Sequence, residues 1–348
     1  MCIVTYSWKK SNSTIKIEKF FEEPKVRWAE IDIVDNCDFD CIWCYSDAPE
    51  KKNKIMVYET FKRIIDKLVL NDFIQVTLSG GEPLLHKKID RFVEYAYRKG
   101  LIVHINSNGY YFTKELAKKL KNCGLTQIQM NLESRDPQLH DFIRGKPGSH
   151  EKTLEAFQNA FTNDITTVLL TVISTYNVNE LTDLMIFSKK NNIDRFRVWD
   201  MVPKGKGQNM DEIYVKNYSK ILNQLTKDAL ENEVKEIISY DPVFNYEGEV
   251  PMEVTLLEVP CPHARGLMMN IEVGGDVNIC CTVRNVKLYN ILEHEDIQTI
   301  HKRKNEELFN ALKNVADCQN CGLYGQCDGG CIARYDNYKR DLQCINYS

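Results

Sequence analysis

The stretch Asp35-Asn36-Cys37-Asp38-Phe39-Asp40-Cys41-Ile42-Trp43-Cys44-Tyr45 follows directly on Arg27–Val34, an apolar segment with the composition of a β-strand. Its three cysteines are separated by three residues and then by two. Three thiolates on one short loop suit a cubane iron–sulfur cluster, which has four irons and keeps one open for a substrate or cosubstrate. The loop also sits where a strand ends. In folds built from repeated strand–helix units, reactive groups collect at the carboxyl ends of the strands.

Outward from this loop the chain alternates strand-like and helix-like segments. Strands are expected at Arg27–Val34, Phe73–Leu78, Ile102–Asn106, Gln127–Leu132, Thr166–Ile173 and Arg195–Met201, several of them nearly continuous apolar runs. Helical spacing is clearest in Val57–Leu70, where Phe61, Ile64, Ile65 and Leu68 recur at three- and four-residue steps. Lys114–Lys121, His150–Phe161 and Asn179–Asn191 behave alike, and Asp211–Lys235 reads as helix leading away from the last strand. Six such units predict an α/β fold with a parallel sheet and outer helices, in the form of an open, partial (β/α)6 TIM-like barrel.

Two further motifs fall at strand ends. Ser79-Gly80-Gly81-Glu82-Pro83 follows the second strand, and Asn106-Ser107-Asn108-Gly109 closes the third. Glycines without a Cβ let the backbone approach a ligand closely. Glu82 is positioned to support a bound cation or to hold the turn, and Pro83 stiffens its exit. Asp47, His86, Asp200 and Lys204 are polar residues near strand ends, but nothing in the sequence raises any of them above a solvated side chain.

The chain has 348 residues and a net charge of −4, with no basic footprint for nucleic acid. No apolar run reaches the ~18–20 residues of a membrane span, and the first residues lack the pattern of a secretory signal. A cytoplasmic protein is expected, and in that compartment its thirteen cysteines argue against a disulfide framework. Besides the first loop, a second group runs Cys261, then Gly275 and Cys280, then Cys318, Cys321, Cys327 and Cys331 with gaps of two, five and three, and finally Cys344. Zinc is the competing reading at Cys318-x2-Cys321, where the spacing suits a tetrahedral site. Cys2 and Cys123 read as ordinary free thiols, and Cys281 is left open. The expected division is an N-terminal extension (1–26), a core (27–235), a linker (236–260) punctuated by prolines, and a cysteine-rich module (261–348).

The three-cysteine loop, the Gly-Gly-Glu-Pro segment and the polar end of the third strand together resemble the radical S-adenosylmethionine (SAM) superfamily. The later cysteines resemble its SPASM extension. The resemblance implies that Cys37, Cys41 and Cys44 hold one [4Fe–4S] cluster whose open iron takes the amino and carboxylate groups of SAM. It implies SAM contacts from Trp43, Gly80, Gly81 and Glu82, from Ser107 and Asn108 (with Thr171) near the ribose, and from Asn131 and Arg144 near the carboxylate. Relatives often carry Ser and Asp where this chain has Asn131 and Glu133. Two auxiliary [4Fe–4S] clusters are implied, one on Cys318, Cys321, Cys327 and Cys344, the other on Cys261, Cys280 and Cys331. Some relatives carry a further cysteine where this chain has Thr255, so the second cluster keeps an open iron, takes a non-cysteine ligand, or uses Cys281.

The function implied is reductive cleavage of SAM to a 5′-deoxyadenosyl radical and hydrogen abstraction from a substrate. A peptide or protein is the first expectation, with side-chain oxidation or C–C or C–S crosslinking. The segments Ile143–Ser149 and Pro203–Gly207 also resemble a branch that acts on tetrapyrrole carboxylates and peptide-derived precursors, and small-molecule dehydrogenation is a further alternative. The extension of 1–26 is too short for a peptide-recognition domain, so a separate recognition protein is expected for a peptide substrate. An external electron donor such as flavodoxin or ferredoxin is also expected. The contrasting class is an iron–sulfur electron carrier without SAM chemistry, which has no use for the Gly-Gly-Glu-Pro segment.

Overall fold

The computed structural model describes residues 25–46, 48, 53–216, 218–234, 236–239, 255–258, 263, 266–284, 286–313, 331 and 333. Six parallel strands form its centre: β1 (Trp28–Val34), β2 (Gln75–Gly80), β3 (Ile102–Ser107), β4 (Leu125–Asn131), β5 (Thr166–Ile173) and β6 (Arg195–Asp200). They lie in sequence order, each hydrogen-bonded to the next. This is the partial barrel expected, with helices α1 (Tyr58–Leu70), α2 (Ile89–Arg98), α3 (Lys114–Asn122), α4 (Pro137–Arg144), α5 (Ser149–Thr162) and α6 (Leu181–Lys190) in the crossovers. α2 and α4 lie outside the helical segments expected above. The signal for α2 was present in Ile89, Phe92, Val93 and Ala96, which bury one face. α4 is short and buries only His140 and Ile143, so its periodicity is weak; Asp136 caps it, accepting from Gln138 N at 3.0 Å.

Alternation along the strands separates two environments. Ala29, Ile31, Ile33, Val76, Leu78, Val103, Ile105, Ile128, Met130, Phe196 and Val198 belong to the buried set, most of them packed in one core with Phe61, Ile65 and Phe92 of the helices. The intervening residues Glu30, Thr77, His104, Gln127, Gln129, Arg195 and Arg197 line a cavity on the other face. The strands are therefore not apolar throughout. Their inner face is polar because it encloses a chamber rather than a packed core.

The sheet continues past both ends of this barrel. β7 (Glu236–Ser239) and β8 (Thr255–Glu258) fall in the stretch expected to be a linker, and extend the sheet in parallel beyond β6. On the other side β9 (Met268–Ile271) pairs in parallel with β1, followed by antiparallel β10 (Asp276–Asn278) and β11 (Lys287–Asn290). Among the described residues eleven strands make one sheet, so backbone hydrogen bonding crosses the expected boundaries. After the barrel, α7 (Tyr218–Glu231) packs beside α6, and α8 (Ile297–Lys313) returns to the start of β1 and the end of α1. Gln298 bonds both ways with Val26, and Ile297 N donates to Asn71 Oδ1 at 2.8 Å. A buried ion pair between Asp32 and Arg284 ties β1 to the loop after β10.

Candidate active site

The cysteine loop lies at the carboxyl end of β1 and is held by three crossovers. From the β2 side, Gly81 N donates to Val34 O at 3.0 Å and Glu82 N to Asn36 O at 2.9 Å. Ile42 N donates to Ile143 O (3.0 Å) in the β4 crossover, and Lys206 N, after β6, donates to Cys44 O (3.0 Å). A Cβ on Gly81 would fall 2.0 Å from Asn36 O, and one on Gly205 would fall 2.3 Å from Cys44 O. Both glycines therefore serve backbone packing against the cysteine loop. Asp38 is fastened by Lys146 Nζ (3.1 Å) and Tyr111 OH (3.0 Å), and Asp40 pairs with Lys206.

Glu82 is 1% exposed and its carboxylate is fully engaged. It accepts from Leu84 N (2.9 Å), Ser107 Oγ (2.8 Å) and Asn108 N (2.7 Å). Of the two roles weighed for it, the bonds seen are those that hold the turn and pin it to β3. Burial lifts the carboxyl to about 7 despite these donors. Asn108 reaches toward the loop, with Nδ2 3.4 Å from Asp38 Oδ1 and 4.0 Å from Cys37 Sγ.

Arg144 ends α4, with its side chain 11% exposed, and pairs with the fully buried Glu133 at 3.4 Å. Glu133 also accepts from Val172 N (2.9 Å) and Asn131 Nδ2 (3.0 Å). Burial raises its pKa, which Arg144 opposes. The Arg144 guanidinium lies 5.5 Å from the Phe39 ring centre, within the cysteine loop. Trp43 is buried against Ile143, Met201 and Ile213.

A cavity of about 330 Å³ gathers these groups. Cys37, Cys41, Cys44, Trp43, Gly80, Gly81, Glu82, Ser107, Asn108, Asn131 and Arg144 all line it, and so do Cys280 and Cys331 from the later cysteine group. Thr171 does not. Its hydroxyl is buried and donates to Leu132 O at 2.8 Å. His86 is likewise internal, bonded to Met56 O at 3.1 Å, while Asp200 lines the cavity and accepts from Tyr214 OH at 3.0 Å. Asp47, Cys261, Cys318, Cys321, Cys327 and Cys344 lie outside the described residues. Among the lining groups that sequence reasoning missed are Glu30, His104, Gln127, Gln129, His263 and the Arg195–Arg197 pair. Arg195 and Arg197 donate to Gln127 and Gln129 on β4. Their i, i+2 spacing in an otherwise apolar strand was the available signal.

Residues 31–188 match the model of the radical SAM superfamily. They are a radical SAM domain. Among curated relatives, the AdoMet-dependent heme synthase of Methanosarcina barkeri is 26% identical over 203 residues, covering 57% of this chain and 57% of that enzyme. The mycofactocin maturase MftC of Mycolicibacterium smegmatis is 26% identical over 305 residues, covering 85% of this chain and 76% of its own length. Among solved structures, Streptococcus suis SuiB bound to precursor peptide SuiA superposes with a TM-score of 0.71 at 17% identity, covering 95% of this chain and 77% of SuiB. That likeness carries the fold.

A radical SAM domain implies one [4Fe–4S] cluster and SAM. The residues present fit both. Cys37, Cys41 and Cys44 are unbridged thiols on one cavity wall. Burial pushes Cys37 up to about 12 and Cys41 up to about 11, and a metal bound there would have to displace their protons. Soft sulfur donors in this number select iron–sulfur over hard cations.

Proposed function

We propose that this chain is a radical SAM enzyme with a C-terminal SPASM module, and that it modifies a peptide or protein side chain by oxidation or by a new C–C or C–S bond. The observation that carries this is the shared chamber: residues of both cysteine groups line the same cavity. When bound, the reduced cluster supplies the electron that cleaves SAM to methionine and a 5′-deoxyadenosyl radical, the hydrogen-abstracting species. The chain's own part is placement and exclusion of water. Carbonyls at Gly80 and Gly81 would accept from the ammonium of SAM, and Arg144 would offer a planar fork to its carboxylate. Trp43 would give the adenine an apolar wall and Ser107 and Asn108 would serve the ribose, while Asn131 bonds Glu133, the partner of Arg144.

Auxiliary clusters on Cys261, Cys280 and Cys331 and on Cys318, Cys321, Cys327 and Cys344 belong to the same reading, as do a flavodoxin or ferredoxin donor and a separate peptide-recognition protein. Similarity to MftC and the SuiB fold support a peptide substrate. Among the described residues no helix is long and apolar enough to cross a membrane, and a cytoplasmic setting fits the redox chemistry.

A second reading is oxidative decarboxylation of a tetrapyrrole propionate. Arg195 and Arg197 on the cavity wall favour it, because guanidinium groups suit carboxylates, as does the similarity to a heme synthase. Turnover of candidate precursors under anaerobic reduction, read by mass spectrometry, separates the two. Loss of two hydrogens alone supports side-chain oxidation or crosslinking, and loss of carbon dioxide together with two hydrogens supports the propionate reading. Absence of 5′-deoxyadenosine from the wild type with SAM and dithionite would sink both.

A further inference from the structure

His263, Cys280 and Cys281 are 6%, 8% and 5% exposed, and their ligand atoms all lie within 4.8 Å of one another. Cys280 and Cys281 follow β10 on the loop that Arg284 anchors to β1. His263 comes from a separate turn, whose backbone is fixed where His263 O accepts from Gly266 N (3.0 Å) and Asn305 Nδ2 (3.1 Å). Its Nδ1 is buried and has no hydrogen-bond partner among the described residues. An unmet buried polar atom of this kind is unfavourable, so a ligand there is favoured. All three side chains line the chamber that holds the Cys37 loop.

One imidazole and two sulfurs this close form a soft donor set, suited to zinc or iron–sulfur and unsuited to hard cations. The two cysteines are adjacent in the chain and both buried. Cys280 Sγ lies 3.2 Å from Thr282 Oγ1.

We propose that His263 is an imidazole ligand of the inner auxiliary iron–sulfur cluster, beside Cys280. This rests on the auxiliary-cluster reading above, which leaves the inner cluster one cysteine short. A neutral imidazole in place of a thiolate removes one negative charge from the cluster and raises its reduction potential.

The test uses holoenzyme purified anaerobically, free of SAM so that no SAM nitrogen contributes, and reduced with dithionite. Iron is counted, and pulsed electron paramagnetic resonance reads nitrogen coupling to the reduced clusters. The expected result is an imidazole ¹⁴N coupling that changes when histidine rings carry ¹⁵N and vanishes in His263→Ala and His263→Cys. His263→Cys, which offers a thiolate to the same position, keeps wild-type iron and shows a lower auxiliary potential. Should His263→Ala fail to fold, the wild type and His263→Cys decide the matter. Iron near twelve per chain without imidazole coupling, or coupling that persists in His263→Cys, overturns the His263 assignment alone. Iron near four per chain overturns the auxiliary-cluster reading and the ligand with it.

Discussion

Gly81→Ala tests whether the Gly-Gly-Glu-Pro segment works by pressing its backbone against the cysteine loop. The added Cβ would sit 2.0 Å from Asn36 O, 2.3 Å from Asn36 C and 2.9 Å from Cys37 N. These are backbone atoms, so no flexible side chain can swing away. Ordinary contact begins near 3.4 Å, so the loop must retreat by about 1.4 Å. The same movement stretches the bonds Gly81 N to Val34 O and Glu82 N to Asn36 O, now 3.0 and 2.9 Å. Overpacking costs about 1–3 kcal/mol and each lost hydrogen bond about 1, so a destabilisation of about 3 kcal/mol is expected. Misplacement of about 1 Å at a reacting centre costs about a hundredfold in rate. The control is Gly274→Ala, whose Cβ meets nothing within 4 Å. The assay is iron per chain after anaerobic reconstitution, with 5′-deoxyadenosine release from SAM under dithionite. Relative to the control, Gly81→Ala is expected to lose about four irons and to release 5′-deoxyadenosine about a hundredfold more slowly. Full iron and a rate within about twofold of the control would refute the packing argument.

Arg144→Met removes the partner of the fully buried Glu133, and is expected to destabilise by about 3 kcal/mol at pH 8. Part of this returns on acidification, because burial has raised the Glu133 pKa and the carboxyl takes up a proton in the folded state before it does so in the unfolded chain; urea midpoints at pH 8 and 5.5 read both effects. Arg284→Met leaves Asp32 buried at 1% exposure, with an expected loss of about 3–5 kcal/mol that adding Asp32→Leu largely restores; equal stability of single and double variants would contradict it. Burial, with Arg195 and Arg197 nearby, holds His104 down to about 3, against 6.5 ordinarily. The folded state therefore binds this proton later than the unfolded chain, and stability is lost as pH falls below about 6.5. Between pH 7.5 and 5 the wild type should lose about 2 kcal/mol more than His104→Gln, and parallel denaturation curves would show that His104 is not held neutral.

Much of the barrel was legible in the chain itself. β1 to β6 fall within two or three residues of their expected bounds, because β-branched runs between amphipathic helices leave few other arrangements. The cysteine loop, Gly80–Glu82 and Asn108 were legible because each motif ends a strand, and parallel strands deliver their ends to one rim. The polar lumen was harder to read. Glu30, His104, Gln129 and Arg197 are scattered single residues in strands, and only the barrel's curvature turns their shared face into a chamber. β7 and β8 were hidden by proline punctuation and by strands of four residues, whose pairing partners lie far away in sequence. His263 carried no spacing signal, since a ligand delivered by a separate turn has no fixed distance from Cys280.

Local chemistry is written in short range. Three thiols at fixed spacing, glycines that must lack a Cβ and strands with alternating faces follow from residue type and neighbours along the chain. Which groups share a cavity is a long-range matter. Arg284 reaches Asp32 across 252 positions, and Cys280 comes to the same chamber as Cys37 only because β9 pairs with β1. Backbone hydrogen bonds between distant segments made that choice, and no local pattern specifies which segments will meet.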